Sequence, residues 1–121
     1  MDLEILEDLG LTSTEIKVYV CLLELGSSHA GGLLDKSRLP NSTVHRDLNS
    51  LISKGLVGYI LEGKKKVYKA TNPEHFFEFI EDKKRRFEEI LPELKAKQRL
   101  KKEEGSASVY KGVRGIKEVY S

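Results

Sequence analysis

The sequence predicts a mainly α fold with one small β-hairpin, an α+β class, completed by a long C-terminal helix of coiled-coil type. Three observations predict it. Apolar residues recur at helical spacing in separate stretches between Leu11 and Ile52. Two β-prone runs around a Gly-containing turn follow at 56–70. From Asn72 to about Lys102 the pattern is helical again, with apolar positions in a heptad rhythm.

Leu11 to Leu25 reads as the first substantial helix, with residues 3–9 as a short lead-in. Thr12-Ser13-Thr14-Glu15 has the form of a capping box, in which the Thr and Glu side chains satisfy each other's backbone amides. Ile16, Val18, Tyr19, Val20, Leu22, Leu23 and Leu25 make this helix apolar nearly all round, which predicts burial at the domain centre, and Gly26 stops it. A short second helix fits 29–37, with Ser28 as its cap and Leu33 and Leu34 facing inward; Gly31 and Gly32 oppose it, at about 1 kcal/mol each relative to Ala. Ser37-Arg38-Leu39-Pro40 is then a turn. In the third helix Asn41 is the expected cap, and Val44, Leu48, Leu51 and Ile52 fall on one stripe. The opposite flank offers Ser42, Arg46, Asn49, Ser50 and Ser53, with Asp47 to the side, and Gly55 ends the helix.

Leu56–Leu61 and Lys66–Ala70 flank Glu62-Gly63-Lys64-Lys65 as a hairpin that bears Lys64, Lys65, Lys66 and Lys69. Asn72-Pro73-Glu74 is a strong helix start: cap, Pro at the first helical position, acid in the first turn. Beyond it Phe76, Ile80, Lys83, Phe87, Ile90, Leu94 and Lys97 alternate spacings of four and three; the two lysines weaken the seam, and Pro92 is expected to kink or interrupt the helix near Leu91. Glu103-Glu104-Gly105-Ser106 reads as a linker, Ala107–Lys111 as a strand and Gly112–Ser121 as the start of a helix, too little for a core and hence the opening of a further domain. The expected organisation is a DNA-binding type of domain over 1–71, a dimerisation helix over 72–104 and a stub over 105–121.

Composition narrows the function classes. Of 121 residues, 39% are apolar and 33% charged, which suits a soluble folded chain. No apolar run approaches the roughly 20 residues that span a bilayer, and the acidic N-terminus does not resemble a signal peptide, so no membrane partner and a cytoplasmic location are expected. One cysteine, Cys21, reads as a core thiol, and His29, His45 and His75 have no metal-ligand spacing, so neither metal nor other cofactor is expected. Residues 1–26 carry six acids and one base, whereas residues 27–70 carry eight bases and three acids. The positive charge lies in one central block, as it would if one face met a polyanion.

Helix, helix, turn, helix and basic hairpin is the element order of the winged helix-turn-helix, a fold that suits duplex DNA. Short polar side chains on the third helix fit the major groove, with Asn49 matched to adenine and Arg46 to guanine or phosphate. Asn41, Ser42 and Thr43 lie at the helix N-terminus, which favours phosphate; His45 and Ser50 complete the candidate recognition surface, and Lys64, Lys65 and Lys66 the wing. Polar residues opposite an apolar stripe are also what any surface helix carries, and a lysine run is ordinarily a solvated face. The position of these lysines on a hairpin tip directly after the third helix favours DNA. Phe76, Ile80, Phe87, Ile90 and Leu94 are the candidate dimerisation residues. The rival reading is a winged-helix module that contacts protein in a transcription or scaffolding complex. No paired carboxylates, Ser-His-Asp set or phosphate-binding Gly loop can be assembled, so an enzyme is not expected.

Three stretches carry a family resemblance. Leu9-Gly10-Leu11-Thr12 through Glu15–Tyr19 and Leu22–Gly26 resembles the opening of TrmB-like archaeal transcriptional regulators. Leu39–His45 and Leu51–Val57 are similar to that family's turn, recognition helix and approach to the wing, and Lys66–Ala70 with Asn72-Pro73-Glu74 to its second wing strand and linker. The resemblance implies a dimeric, sequence-specific regulator of double-stranded DNA on a pseudo-palindromic operator. It also implies a sugar-like small-molecule effector read by a C-terminal domain, whose first strand and helix Ala107–Tyr120 resembles. Gly31-Gly32 departs from the family's more polar pair, and His45 stands where the family often has Tyr.

Overall fold

The computed structural model describes residues 1–104. In chain order the elements are α1 (Glu4–Asp8), α2 (Ser13–Leu25), β1 (Ser27–Ser28), α3 (Ala30–Ser37), α4 (Asn41–Ser53), β2 (Val57–Glu62), β3 (Lys65–Ala70) and α5 (His75–Glu104). The result is the expected mainly α winged helix-turn-helix with a long C-terminal helix. It divides into two compact units, one over Met1–Glu81 and one beginning at Asp82. The strand and helix expected over 105–121 lie outside the described residues. No described helix is long and apolar enough to cross a membrane.

The capping box opens α2 as expected. Thr12 Oγ1 accepts from the Glu15 amide at 3.2 Å, and Glu15 Oε1 accepts from the Thr12 amide at 2.9 Å. The helix buries Ile16, Val18, Tyr19, Cys21 and Leu22, but Leu23 and Leu25 are exposed, so it covers the core with one broad face rather than all round. Val18, Leu22, Leu33, Val44, Leu48 and Leu51 have no exposed surface and form the centre of the core. Each such side chain contributes about 1.5–3 kcal/mol of transfer free energy. Burial raises the pKa of the Cys21 thiol, with the Glu24 charge adding to it, which fits an inert core group.

Ser28 does not cap α3. His29 occupies the cap position without a side-chain bond, and Ser28 belongs to β1, paired with Tyr68 while Ser27 pairs with Lys69. The hairpin is therefore extended to a three-stranded antiparallel sheet of order β1-β3-β2. Two residues are too few to show a strand's alternation in sequence. They also explain one of the two glycines in α3: a Cβ at Gly32 would collide with Ser28 Oγ, whereas one at Gly31 would meet open space. The glycine leaves room for the Ser28 side chain beside the helix.

Asn41 is the first residue of α4 rather than its cap; Pro40 is the cap residue, and its carbonyl accepts from the Val44 amide at 3.0 Å. The turn before it puts Arg38 in the left-handed region (φ 60°), and buried Ser37 accepts from the Leu39 amide at 3.2 Å through Oγ. The stripe Val44, Leu48, Leu51 is buried as its spacing predicts, with Ile52 half-buried. Strands β2 and β3 pair from Val57↔Ala70 to Glu62↔Lys65, leaving a two-residue loop, Gly63-Lys64. Gly63 has φ +66°, which such a loop requires of one central residue or both.

Helix α5 begins at His75, not Pro73. Asn72 still organises the start: its Oδ1 accepts from the Glu74 amide at 2.9 Å and its carbonyl from the His75 amide at 2.8 Å. Pro92 lies inside the helix, which continues to Glu104, so the expected interruption near Leu91 does not occur. A proline removes one N–H from the ladder, and the other residues of this thirty-residue helix, mostly good helix formers, outlast that loss.

Candidate nucleic-acid interface

At 100° per residue, the buried stripe of α4 leaves Ser42, Arg46, Asn49 and Ser53 on the opposite flank, with His45 at one border and Thr43 and Ser50 at the other. Ser42, His45, Arg46 and Asn49 are exposed, as is Asn41 at the start of the helix; Thr43 and Ser50 are half-buried. His45 faces an open cleft of about 590 Å³, whose walls are His29, Ala30 and Gly31 at the start of α3 and Lys64, Lys65, Lys66 and Tyr68 of the wing. Three elements therefore converge on one cationic depression, and no acid is among its lining residues. The wing lysines and α4, consecutive in the chain, border the same cleft, α4 through His45.

The wing is stiffened from within. Tyr59 pairs with Tyr68 across the ladder, their rings 6.0 Å apart, and Lys66 Nζ lies 4.6 Å from the centre of the Tyr59 ring. That cation–π contact fixes one lysine on the strand while Lys64 occupies the loop itself. Lys65 stands opposite Glu62 in the register.

Ser50 is placed differently from the rest of the candidate recognition surface. Its Oγ donates to Glu15 Oε2 at 2.7 Å, and Lys54 Nζ donates to the same oxygen at 2.7 Å. Glu15 is buried, and its other oxygen closes the capping box. Burial alone would raise this carboxyl's pKa; the bonds from Lys54, the Thr12 amide and Ser50, together with the Lys54 charge, outweigh it and hold the pKa below the ordinary value. Ser50 thus joins α4 to α2 rather than facing a groove. Arg46 is also tethered, with Nε donating to Asp47 Oδ1 at 3.2 Å and Nη2 to Thr14 Oγ1 at 3.3 Å.

Of the residues expected at a dimer contact, Phe76 is turned into its own unit. It is half-buried and meets Tyr19 edge-on at 5.5 Å, with Phe79 packed beside it at 6.3 Å. Ile80, Phe87, Ile90 and Leu94 remain between 38% and 52% exposed. Sequence reasoning missed His29 and Tyr68 as cleft residues. The only signal for His29 was its place at the head of a helix, and Tyr68 read as an ordinary strand residue.

The profile of the family described as sugar-specific transcriptional regulator TrmB matches residues 6–74. The HTH-type sugar sensing transcriptional regulator TrmBL1 of Pyrococcus furiosus is 36% identical over 80 residues, covering 66% of this chain and 23% of that protein. Among solved structures, TrmBL2, described as an archaeal chromatin protein with a novel mode of DNA binding, aligns with a TM-score of 0.68 at 29% identity, over 82% of this chain and 40% of that one. The ST1889 protein of Sulfolobus tokodaii aligns with a TM-score of 0.57 at 25% identity, over 73% of this chain and 96% of its own. The chain thus spans well under half the length of TrmBL1 and TrmBL2.

Proposed function

The chain belongs to the TrmB family of transcriptional regulators, and on that premise we propose that it binds double-stranded DNA sequence-specifically as a homodimer. The observation that carries the reading is the acid-free cleft in which His45, the start of α3 and Lys64–Lys66 converge beside the polar flank of α4. Ser42, Arg46 and Asn49 enter the major groove; Asn41 and the half-buried Thr43 lie at the helix start beside the backbone; the wing lysines hold the flanking phosphates and give the binding its salt dependence. Ser50 contributes by fixing α4 to α2. Selection of bound fragments from genomic DNA tests this. A shared, two-fold symmetric motif is expected, and retention of random duplex without a motif would favour the protein-contact reading instead.

The second copy is recruited along α5. Ile80, Phe87, Ile90 and Leu94 leave half-exposed apolar surface at heptad spacing, which a parallel or antiparallel copy of the same helix would cover. Two recognition helices related by a two-fold axis then enter major grooves about 34 Å apart, hence a pseudo-palindromic operator. Replacing Phe87 and Ile90 by Glu is expected to give a monomer in sedimentation and to weaken operator binding by on the order of 100-fold, since each half-site is then bound alone. A dimer that survives both changes would move the interface elsewhere. A sugar-like effector, by analogy with the sugar-sensing name of TrmBL1, would act through a further C-terminal domain.

A further inference from the structure

Asp47 is 2% exposed, at the edge of the buried stripe of α4, and its contacts are uneven. Oδ1 accepts from Arg46 Nε at 3.2 Å, whereas Oδ2 is buried without a protein partner among the described residues. Arg46 is otherwise a surface residue, its side chain 66% exposed. A second bond, from Nη2 to Thr14 Oγ1 at 3.3 Å, ties the same edge of the guanidinium to the first turn of α2. Through Oδ1 the buried acid holds the root of an exposed arginine.

We infer that Asp47 and Thr14 are positioning residues that preset Arg46 to read one guanine in the major groove. The inference rests on the DNA reading above and adds which residue discriminates and what orients it. The guanidinium has five N–H donors in a rigid plane. With Nε and one Nη2 hydrogen engaged, the hydrogens of Nη1 and the second Nη2 hydrogen remain as a fork of the spacing that matches O6 and N7 of guanine. Holding that plane before DNA arrives removes rotamer freedom that an untethered arginine would lose on binding. The charges follow the same logic. The Arg46–Asp47 pair is close to neutral, so it adds little to the sequence-independent attraction supplied by Lys64–Lys66. Its contribution is to discrimination rather than to total affinity.

The test uses the full chain and the duplex it selects from a random-sequence pool, with every single-base variant of that duplex measured by fluorescence anisotropy for wild type, Arg46→Lys, Asp47→Asn, Thr14→Val and the Asp47→Asn/Arg46→Lys double variant. Wild type is expected to show one G·C position per half-site where a change weakens binding by about tenfold or more. In Arg46→Lys and Asp47→Asn that penalty is expected to shrink to about twofold, with the double variant no worse than either single, as coupling through one arginine requires. Affinity of Asp47→Asn for random duplex stays equal or tightens, because an acid has been removed near a polyanion; a merely structural role for Asp47 would weaken both kinds of binding together. Should Asp47→Asn fail to fold, Thr14→Val decides, with a partial loss of the penalty expected. The inference is overturned if Asp47→Asn and Thr14→Val retain the full wild-type penalty, or if no position responds to Arg46→Lys. A wild-type protein with no base preference at all would overturn the proposed function itself.

Discussion

Glu15→Ala is expected to lower folding stability by about 3 kcal/mol, a large share of the roughly 5–15 kcal/mol that holds a domain of this size. The single carboxylate serves three partners. Oε1 completes the capping box with Thr12, worth about 1 kcal/mol. Oε2 accepts from Ser50 and Lys54 across the α2–α4 contact. Removing it leaves a partly buried cation and a hydroxyl without their acceptor, and breaking a buried pair from one side costs about 3–5 kcal/mol. Lys54 is 22% exposed and can regain water, which sets the expectation at the low end of that range. Thermal unfolding followed by circular dichroism is expected to fall by roughly 15 °C. The pH dependence has a definite sign. Because the folded carboxyl's pKa lies below the ordinary value of about 4.3, its contribution is fully present above that value and disappears as pH falls through the lowered folded one. The stability gap between wild type and Glu15→Gln is therefore expected to be constant from pH 7 to about 5 and to narrow towards pH 3. A gap that widened on acidification would contradict the network.

The triple change Lys64→Ala, Lys65→Ala, Lys66→Ala is expected to weaken binding to every duplex alike, by on the order of 100-fold at physiological salt, and to flatten the slope of log affinity against log salt by about 2 to 3. Each phosphate contact releases roughly one counterion, so slope and affinity move together. Base preference is expected to survive, since the base-reading residues are proposed to lie on α4. The fold is also expected to survive: all three side chains are exposed, and among the described residues the interaction lost is the Lys66–Tyr59 contact, worth about 0.5–1 kcal/mol. Anisotropy titrations at several salt concentrations read both quantities. An unchanged slope would remove the wing from the interface.

The helices were legible because burial writes a 3.6-residue period into sequence, as Val44, Leu48 and Leu51 do without exception. The capping box of α2 was legible for a similar reason: its partners are three residues apart. What sequence could not supply depends on contacts between distant segments. Glu15 and Ser50 are 35 residues apart, and a serine on the polar side of a helix has the same spacing whether it faces water, DNA or a neighbouring helix. Strand β1 exists only because β3 pairs with it, and at Gly32, which reads locally as a helix-weakening residue, a Cβ would meet the Ser28 side chain. Arg38 takes a left-handed turn position normally signalled by Gly or Asn, so the turn was placed by Pro40 rather than by the residue that makes it. Asp47 looked peripheral because one acid on a polar helix carries no sign of being buried.

On the proposed function, one cationic surface, made by the exposed flank of α4, the start of α3 and the β2–β3 wing, meets the duplex. Titration of isotope-labelled protein with its selected duplex, followed by amide chemical shifts, tests it most directly. The largest changes are expected at His29–Gly31, Ser42–Asn49 and Gly63–Lys66. Changes confined to α2 or α5, with those three segments silent at saturation, would contradict it.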